Sequence, residues 1–136
     1  MQTALCLAAK RGVDVRLVTP GIPDKKMVFK LTRSYYRDLL KSGVRIFEYT
    51  PGFIHAKSFI SDDQIGVVGT INMDYRSLYL HFECATLMIG CEALQSLKKD
   101  CEETFELSRE VKEANIKKNL FGILFEGLLR FLSPML

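Results

Sequence analysis

The 136-residue chain predicts an α/β domain in which a mixed β-sheet is covered by helices. Three observations carry that prediction: short runs rich in Val and Ile, amphipathic stretches of helical period between them, and Gly or Pro at the joints. Residues 1–11 read as a helix that opens without a cap residue, as the middle of a longer helix would, so the chain is expected to be part of a larger protein. Residues 13–19 alternate Val13, Val15 and Leu17 into a strand, and Pro20-Gly-Ile-Pro23 breaks it. A helix over 24–42 follows, with Asp24 as N-cap, Val28, Leu31, Tyr35 and Leu39 on one face, and Gly43 as the stop. Strands are expected at 44–49, 53–61, 64–68 and 82–89, and a last helix from Glu92 to about Glu110. The division this suggests is a compact domain over 1–112 and an apolar tail over 113–136. There is no internal repeat and no low-complexity segment.

Composition narrows the function classes. Cys6, Cys84, Cys91 and Cys101 have no CxxC spacing, and with no signal peptide they read as reduced, mostly buried thiols in a cytosolic setting rather than as a zinc site or disulfide framework. A net charge of +3 is too small to demand nucleic acid, though it suits a phosphate-rich surface. Lys25, Lys26, Lys30, Arg33, Arg37 and Lys41 make the second helix basic, which fits either a solvated face or a surface for anionic head groups.

The densest chemistry lies in eighteen residues: His55-Ala-Lys57, Asp62, and Gly69-Thr70-Ile71-Asn72. On a strand, positions two apart leave the same face, so His55 and Lys57 can share one substrate. A neutral imidazole can attack phosphorus, and an ammonium beside it neutralises the phosphoryl oxygens without reacting. Thr70 and Asn72 add a hydroxyl and an amide for the same oxygens, and Gly69 lets the backbone turn close to them. Taken alone, Asp62 reads as a turn residue before it reads as a base, and Asp63 as a solvated loop charge. Glu83 sits in a strand-like stretch where a carboxylate needs a partner.

The run HAKSFISDDQIGVVGTIN resembles the HxKx4Dx6GSxN signature of the phospholipase D superfamily, with Thr70 in place of the usual Ser. The resemblance extends further. Arg11-Gly-Val-Asp-Val-Arg16, Arg33-Ser-Tyr-Tyr36, Asn72-Met-Asp-Tyr-Arg-Ser77, Phe82-Glu83 and Leu132-Ser-Pro-Met-Leu136 look like the C-terminal half of bacterial cardiolipin synthases. It implies a phosphatidyltransferase in which His55 forms a phosphohistidine, Lys57 and Asn72 stabilise the phosphoryl charge, Thr70 adds a hydrogen bond, Asp62 completes the motif and Glu83 orients His55. It implies no metal and no cofactor, a phosphatidylglycerol-like substrate, and a place at the cytoplasmic face of the cell membrane. It also implies a second motif in a complementary half, and this chain has none: His81 is followed by Phe-Glu and falls where the family more often has an amide, so no catalytic role is assigned to it. Two further readings stay open, a single-motif homodimeric phosphodiesterase or nuclease, and an inactive module binding lipid or a partner. Residues 119–136, NLFGILFEGLLRFLSPML, are too short and too charged to span a bilayer comfortably; they read as an amphipathic helix that packs on protein or lies in a membrane interface.

Overall fold

A computed structural model describes residues 1–115 together with Leu124, Gly127, Leu129, Arg130 and Phe131. The elements run α1 (Gln2–Lys10), β1 (Arg16–Pro20), α2 (Lys26–Ser34), α3 (Tyr36–Lys41), β2 (Arg45–Tyr49), β3 (Ser58–Ser61), β4 (Ile65–Gly69), α4 (Tyr75–Tyr79), β5 (Ala85–Ile89), α5 (Ala93–Glu106) and β6 (Ser108–Val111), followed by a 3-10 turn at Glu113–Asn115. The α/β class is as predicted, but the strands form two three-stranded sheets rather than one. β1 and β2 pair in parallel across the α2–α3 crossover, with β6 antiparallel to β2; β3, β4 and β5 form an antiparallel meander.

The first sheet holds the core. Its central strand β2 is buried on both faces, which is why Ile46, Phe47 and Glu48 are all inaccessible. Ile46 packs with Tyr36, Leu39, Val44 and Val111, and α1 lays Leu5, Cys6 and Ala9 against them. On the other face Phe47 meets Phe105 of α5, ring centroids 4.9 Å apart. Glu48, 1% exposed, is a charge in this core. It is held between two arginines: Arg109 Nη2 donates to Oε2 at 2.6 Å and Arg33 Nε lies 3.0 Å from Oε1. The neighbouring Tyr36 hydroxyl is bonded to Thr19 at 2.6 Å, and burial pushes its ionisation well above the usual phenol range.

α5 also serves the second sheet. A Cβ on Gly66 would stand 2.6 Å from Leu94 Cδ2 and 3.0 Å from Leu97 Cδ2, so the glycine lets the helix lie directly on β4. Side chains alternate across a sheet, so Ile65, Leu87 and Ile89 leave the opposite face, where they are 45%, 61% and 68% exposed. This apolar face has no cover among the described residues.

Several boundaries differ from the sequence expectation for identifiable reasons. The 24–42 helix is interrupted at Tyr35: Ser34 Oγ donates back to the Leu31 carbonyl at 2.6 Å, a bond that competes with the helical ladder. The helix begins after Lys25 rather than Asp24. At the interruption Arg130 fills the gap. Its guanidinium donates to the Ser34 carbonyl, to Ser34 Oγ at 3.2 Å and to Asp38 Oδ2 at 2.7 Å, and it lies over the Tyr35 ring at 4.7 Å. Leu129 is buried beside it. The amphipathic helix expected over 119–136 otherwise lies outside the described residues. The last helix ends at Glu106, and 108–111 is a strand, because Val111 and Ser108 pair with Ile46 and Tyr49. α4 was not expected from the sequence; Asp74 caps it by accepting the Ser77 N–H at 2.7 Å.

Candidate active site

The motif residues sit around the β3–β4 hairpin. Its connecting loop is Asp62-Asp63-Gln64, in which Asp62 and Asp63 are both left-handed with φ of 51° and 57° and the Gln64 N–H donates to the Ser61 carbonyl at 3.1 Å. At the opposite end the Gly69 N–H donates to the Lys57 carbonyl at 3.1 Å, which puts Lys57 beside the Gly69-Thr70 turn. Residues 53–57 have no regular secondary structure and lie outside the ladder, since β4 ends at Gly69; the expected 53–61 strand is therefore only Ser58–Ser61. His55 and Lys57 remain coupled: the Lys57 ammonium donates to the His55 carbonyl at 2.7 Å. The His55 ring is exposed and stacks on Phe53 with centroids 5.9 Å apart.

Thr70 is the hinge of the site. Its N–H donates to the Cys84 carbonyl at 2.9 Å, its Oγ1 accepts from the Cys84 N–H at 3.1 Å, and its hydroxyl proton goes to Glu83 Oε2 at 2.5 Å. These bonds extend the β4–β5 pairing past Gly69↔Ala85 and place Glu83 beside the GTIN turn. The Thr70 hydroxyl, then Ser77, hold the Glu83 carboxyl below its usual range against the opposing effect of burial, with lesser help from His81 and Lys57. The Lys57 ammonium is pushed down by burial, while Glu83 and Asp74 pull it back up. Asn72 Nδ2 donates to Ser77 Oγ at 3.3 Å, so Asn72, Ser77 and Glu83 join one polar cluster.

Lys57, Thr70, Asn72 and Glu83 are thus brought together at one end of the second sheet, with His55 on the adjoining segment. Two placements differ from expectation. Asp62 lies at the far end of β3, about 16 Å along the strand from Lys57, and accepts the hydroxyl of Ser61 at 3.2 Å. Asp63 pairs with Lys98 at 2.5 Å. Glu83 bonds Thr70 and Ser77, and among the described residues no hydrogen bond joins it to His55. Ser77 is the cluster member that sequence reasoning passed over; the Asp74-x-x-Ser77 capping pattern is the signal that locates it. No three His, Cys, Asp or Glu side chains among the described residues are grouped to hold a metal ion.

Chemically, an exposed imidazole, an ammonium and an amide and hydroxyl on a tight turn are groups able to act on a phosphate. Comparison with known proteins decides its kinship. Residues 1–105 match the model of the cardiolipin synthase, PLD-like domain. The chain belongs to that family. It is 50% identical over 137 residues to an uncharacterized protein of Streptococcus mutans serotype c (strain ATCC 700610 / UA159), covering 100% of this chain and 30% of the relative. It is 39% identical to the cardiolipin synthase of Geobacillus kaustophilus (strain HTA426) and 40% identical to cardiolipin synthase 2 of Bacillus cereus, each alignment covering 98% of this chain. Those alignments cover 27% and 26% of the relatives, so the chain spans less than a third of the length of the curated relatives it matches. The phospholipase D family member Nuc from Salmonella typhimurium has the same fold, with a TM-score of 0.72 at 19% identity over 82% of this chain and 73% of Nuc.

Proposed function

We propose that this PLD-like domain is the C-terminal catalytic half of a phosphatidyltransferase of the cardiolipin synthase type, working through a phosphohistidine on His55. The observation that carries the reading is the convergence of Lys57, Thr70, Asn72 and Glu83 on one turn beside an exposed His55 ring. In the first step a ring nitrogen of neutral His55 attacks the phosphatidyl phosphorus; the P–N bond forms as the P–O bond to the leaving alcohol breaks. Lys57 and Asn72 carry the charge that gathers on the phosphoryl oxygens. In the second step an acceptor alcohol attacks the same phosphorus and the P–N bond breaks, returning the electron pair to His55. Glu83 contributes negative charge beside the forming imidazolium and, in this conformation, fixes the Thr70 hydroxyl; a direct bond to His55 requires the ring to turn toward it. Asp62 holds the hairpin turn.

The leaving alkoxide needs a proton from a group protonated while His55 is not, so a second half is required. The bare apolar face of Ile65, Leu87 and Ile89 suits the docking of such a half. No helix among the described residues is long and apolar enough to cross a membrane; we place the chain at the cytoplasmic membrane surface, with residues 1–112 as the catalytic domain and 113–136 as a tail tied to it through Leu129 and Arg130. The test is reassembly with a separately expressed complementary half bearing its own HxK motif. Activity on phosphatidylglycerol that needs both halves and His55 is expected. A symmetric dimer of this chain that cleaves simple phosphodiesters unaided would replace this reading with that of a homodimeric phosphodiesterase.

A further inference from the structure

The segment between Asn72 and Glu83 carries an arginine and a histidine that the chemistry above does not use. Arg76 lies on α4 and His81 follows it by a tight turn, in which the N–H groups of Leu80 and His81 both donate to the Arg76 carbonyl at 2.9 Å. That turn holds the two side chains together: Arg76 Nη2 is 3.5 Å from His81 Nε2. Both are exposed, and Arg76 makes no ion pair among the described residues. The nearby carboxylates are already committed. Asp74 accepts the Ser77 N–H and Glu83 accepts from Thr70. Among the described residues the one side-chain partner of the Arg76 guanidinium is the His81 ring, at the long distance of 3.5 Å, so a phosphate diester can enter beside the ring and take two guanidinium hydrogen bonds in its place.

We propose that Arg76 and His81 form a second phosphate subsite, which binds the phosphodiester of the acceptor lipid while Lys57, Thr70 and Asn72 hold the phosphate under attack. The inference rests on the phosphatidyltransferase reading, because transfer from one phospholipid to another brings two phosphates into the site at once. Its position is suitable: Arg76 precedes Ser77, which accepts from Asn72, and His81 lies two residues before Glu83, which accepts from Thr70, so the pair borders the cluster that holds the first phosphate. Its surroundings fit a lipid as well. Tyr75 and Tyr79, ring centroids 4.9 Å apart, and Leu80 and Phe82 expose apolar surface on both sides of the pair.

The test uses this chain and needs no turnover. Side-chain resonances of His81 and Arg76 are followed by NMR while dihexanoylphosphatidylglycerol, kept below its micelle concentration, or inorganic phosphate is added. The expected result is saturable shifts of both residues, with the short-chain lipid bound at least about five-fold more tightly than inorganic phosphate, and with Arg76→Gln and His81→Asn each weakening lipid binding by about five-fold or more. Shifts confined to His55 and Lys57, or unchanged affinity in both variants, would overturn the subsite. Equal affinity for the lipid and for inorganic phosphate would assign the pair to free anions and overturn the acceptor role. In a reassembled enzyme the same variants should raise KM for the acceptor while leaving phosphohistidine formation from the donor unchanged. Loss of the donor step in equal measure would contradict the proposal, whereas failure of reassembly with intact lipid binding at Arg76 and His81 would count against the phosphatidyltransferase reading alone.

Discussion

Gly69→Ala probes the joint on which the site depends. A Cβ at this position would stand 2.3 Å from the Cys84 carbonyl oxygen, 2.5 Å from Ala85 Cα and 2.6 Å from Ala85 Cβ. None of these is the free end of a flexible side chain, so β5 has to retreat by about 1 Å to reach ordinary contact distance. The retreat pulls apart Thr70 N–H to Cys84 O at 2.9 Å and Cys84 N–H to Thr70 Oγ1 at 3.1 Å, and with them the Thr70–Glu83 bond. Overpacking costs about 1–3 kcal/mol, and two neutral hydrogen bonds add about 1 kcal/mol each. The alanine returns about 0.5–1 kcal/mol by restricting the unfolded chain. The net expectation is a loss of about 2–4 kcal/mol, or roughly 6–15 °C in Tm for a domain of this size. Urea unfolding of the chain measures the first figure, and hydrogen exchange at the Thr70 and Cys84 amides reports whether the joint has opened. A variant within about 0.5 kcal/mol of the parent with both amides still protected would refute the reasoning.

Glu48→Gln leaves two arginines around a neutral amide in the core and should cost about 1–3 kcal/mol by the same unfolding assay, moderated because both guanidinium groups reach solvent. Thr70→Ser should preserve the Glu83 bond and Thr70→Val should abolish it, so in a reassembled enzyme the serine variant keeps most of the activity and the valine variant loses about ten-fold or more. Arg130→Ala should cost about 0.5–1.5 kcal/mol near neutral pH, because Arg130 is tied to Asp38 and Ser34. The Arg130 hydrogen bond holds the Asp38 carboxyl below its usual range. A depressed carboxylate stabilises the fold above its unfolded pKa, near 4, and that share is lost as pH falls through the folded value. The gap between parent and Arg130→Ala should therefore narrow below about pH 4, as thermal melts across pH would show.

Much of this was legible in the residues because it depends on local pattern. The strand at Arg45–Tyr49 follows from an apolar run after a glycine stop, and α5 from its helical period. What escaped depended on partners distant in sequence. β6 carries Arg109 and Glu110 and reads as the end of a helix until β2 is there to pair with it. Phe53 and Ile54 read as strand, yet β4 stops at Gly69 and leaves them without a ladder. The division into two sheets has no local signature at all. In the site, spacing alone brought together Lys57, Thr70 and Asn72. The motif Asp did not follow, because the tight β3–β4 connection needs left-handed residues and Asp62 and Asp63 fill that role. The partner of Glu83 was likewise set by the Thr70–Cys84 pairing, which is a tertiary fact.

The central claim is that His55 takes the phosphatidyl group. The most direct measurement is to incubate the chain, reassembled with a complementary HxK half, with phosphatidylglycerol labelled in its phosphate, quench under alkaline denaturing conditions that preserve phosphoramidates, and map the label by peptide mass spectrometry. Phosphatidyl label on the peptide containing His55, absent in His55→Ala and discharged by added acceptor, is the predicted result. Active enzyme whose label maps elsewhere, or whose turnover persists in His55→Ala, would contradict it.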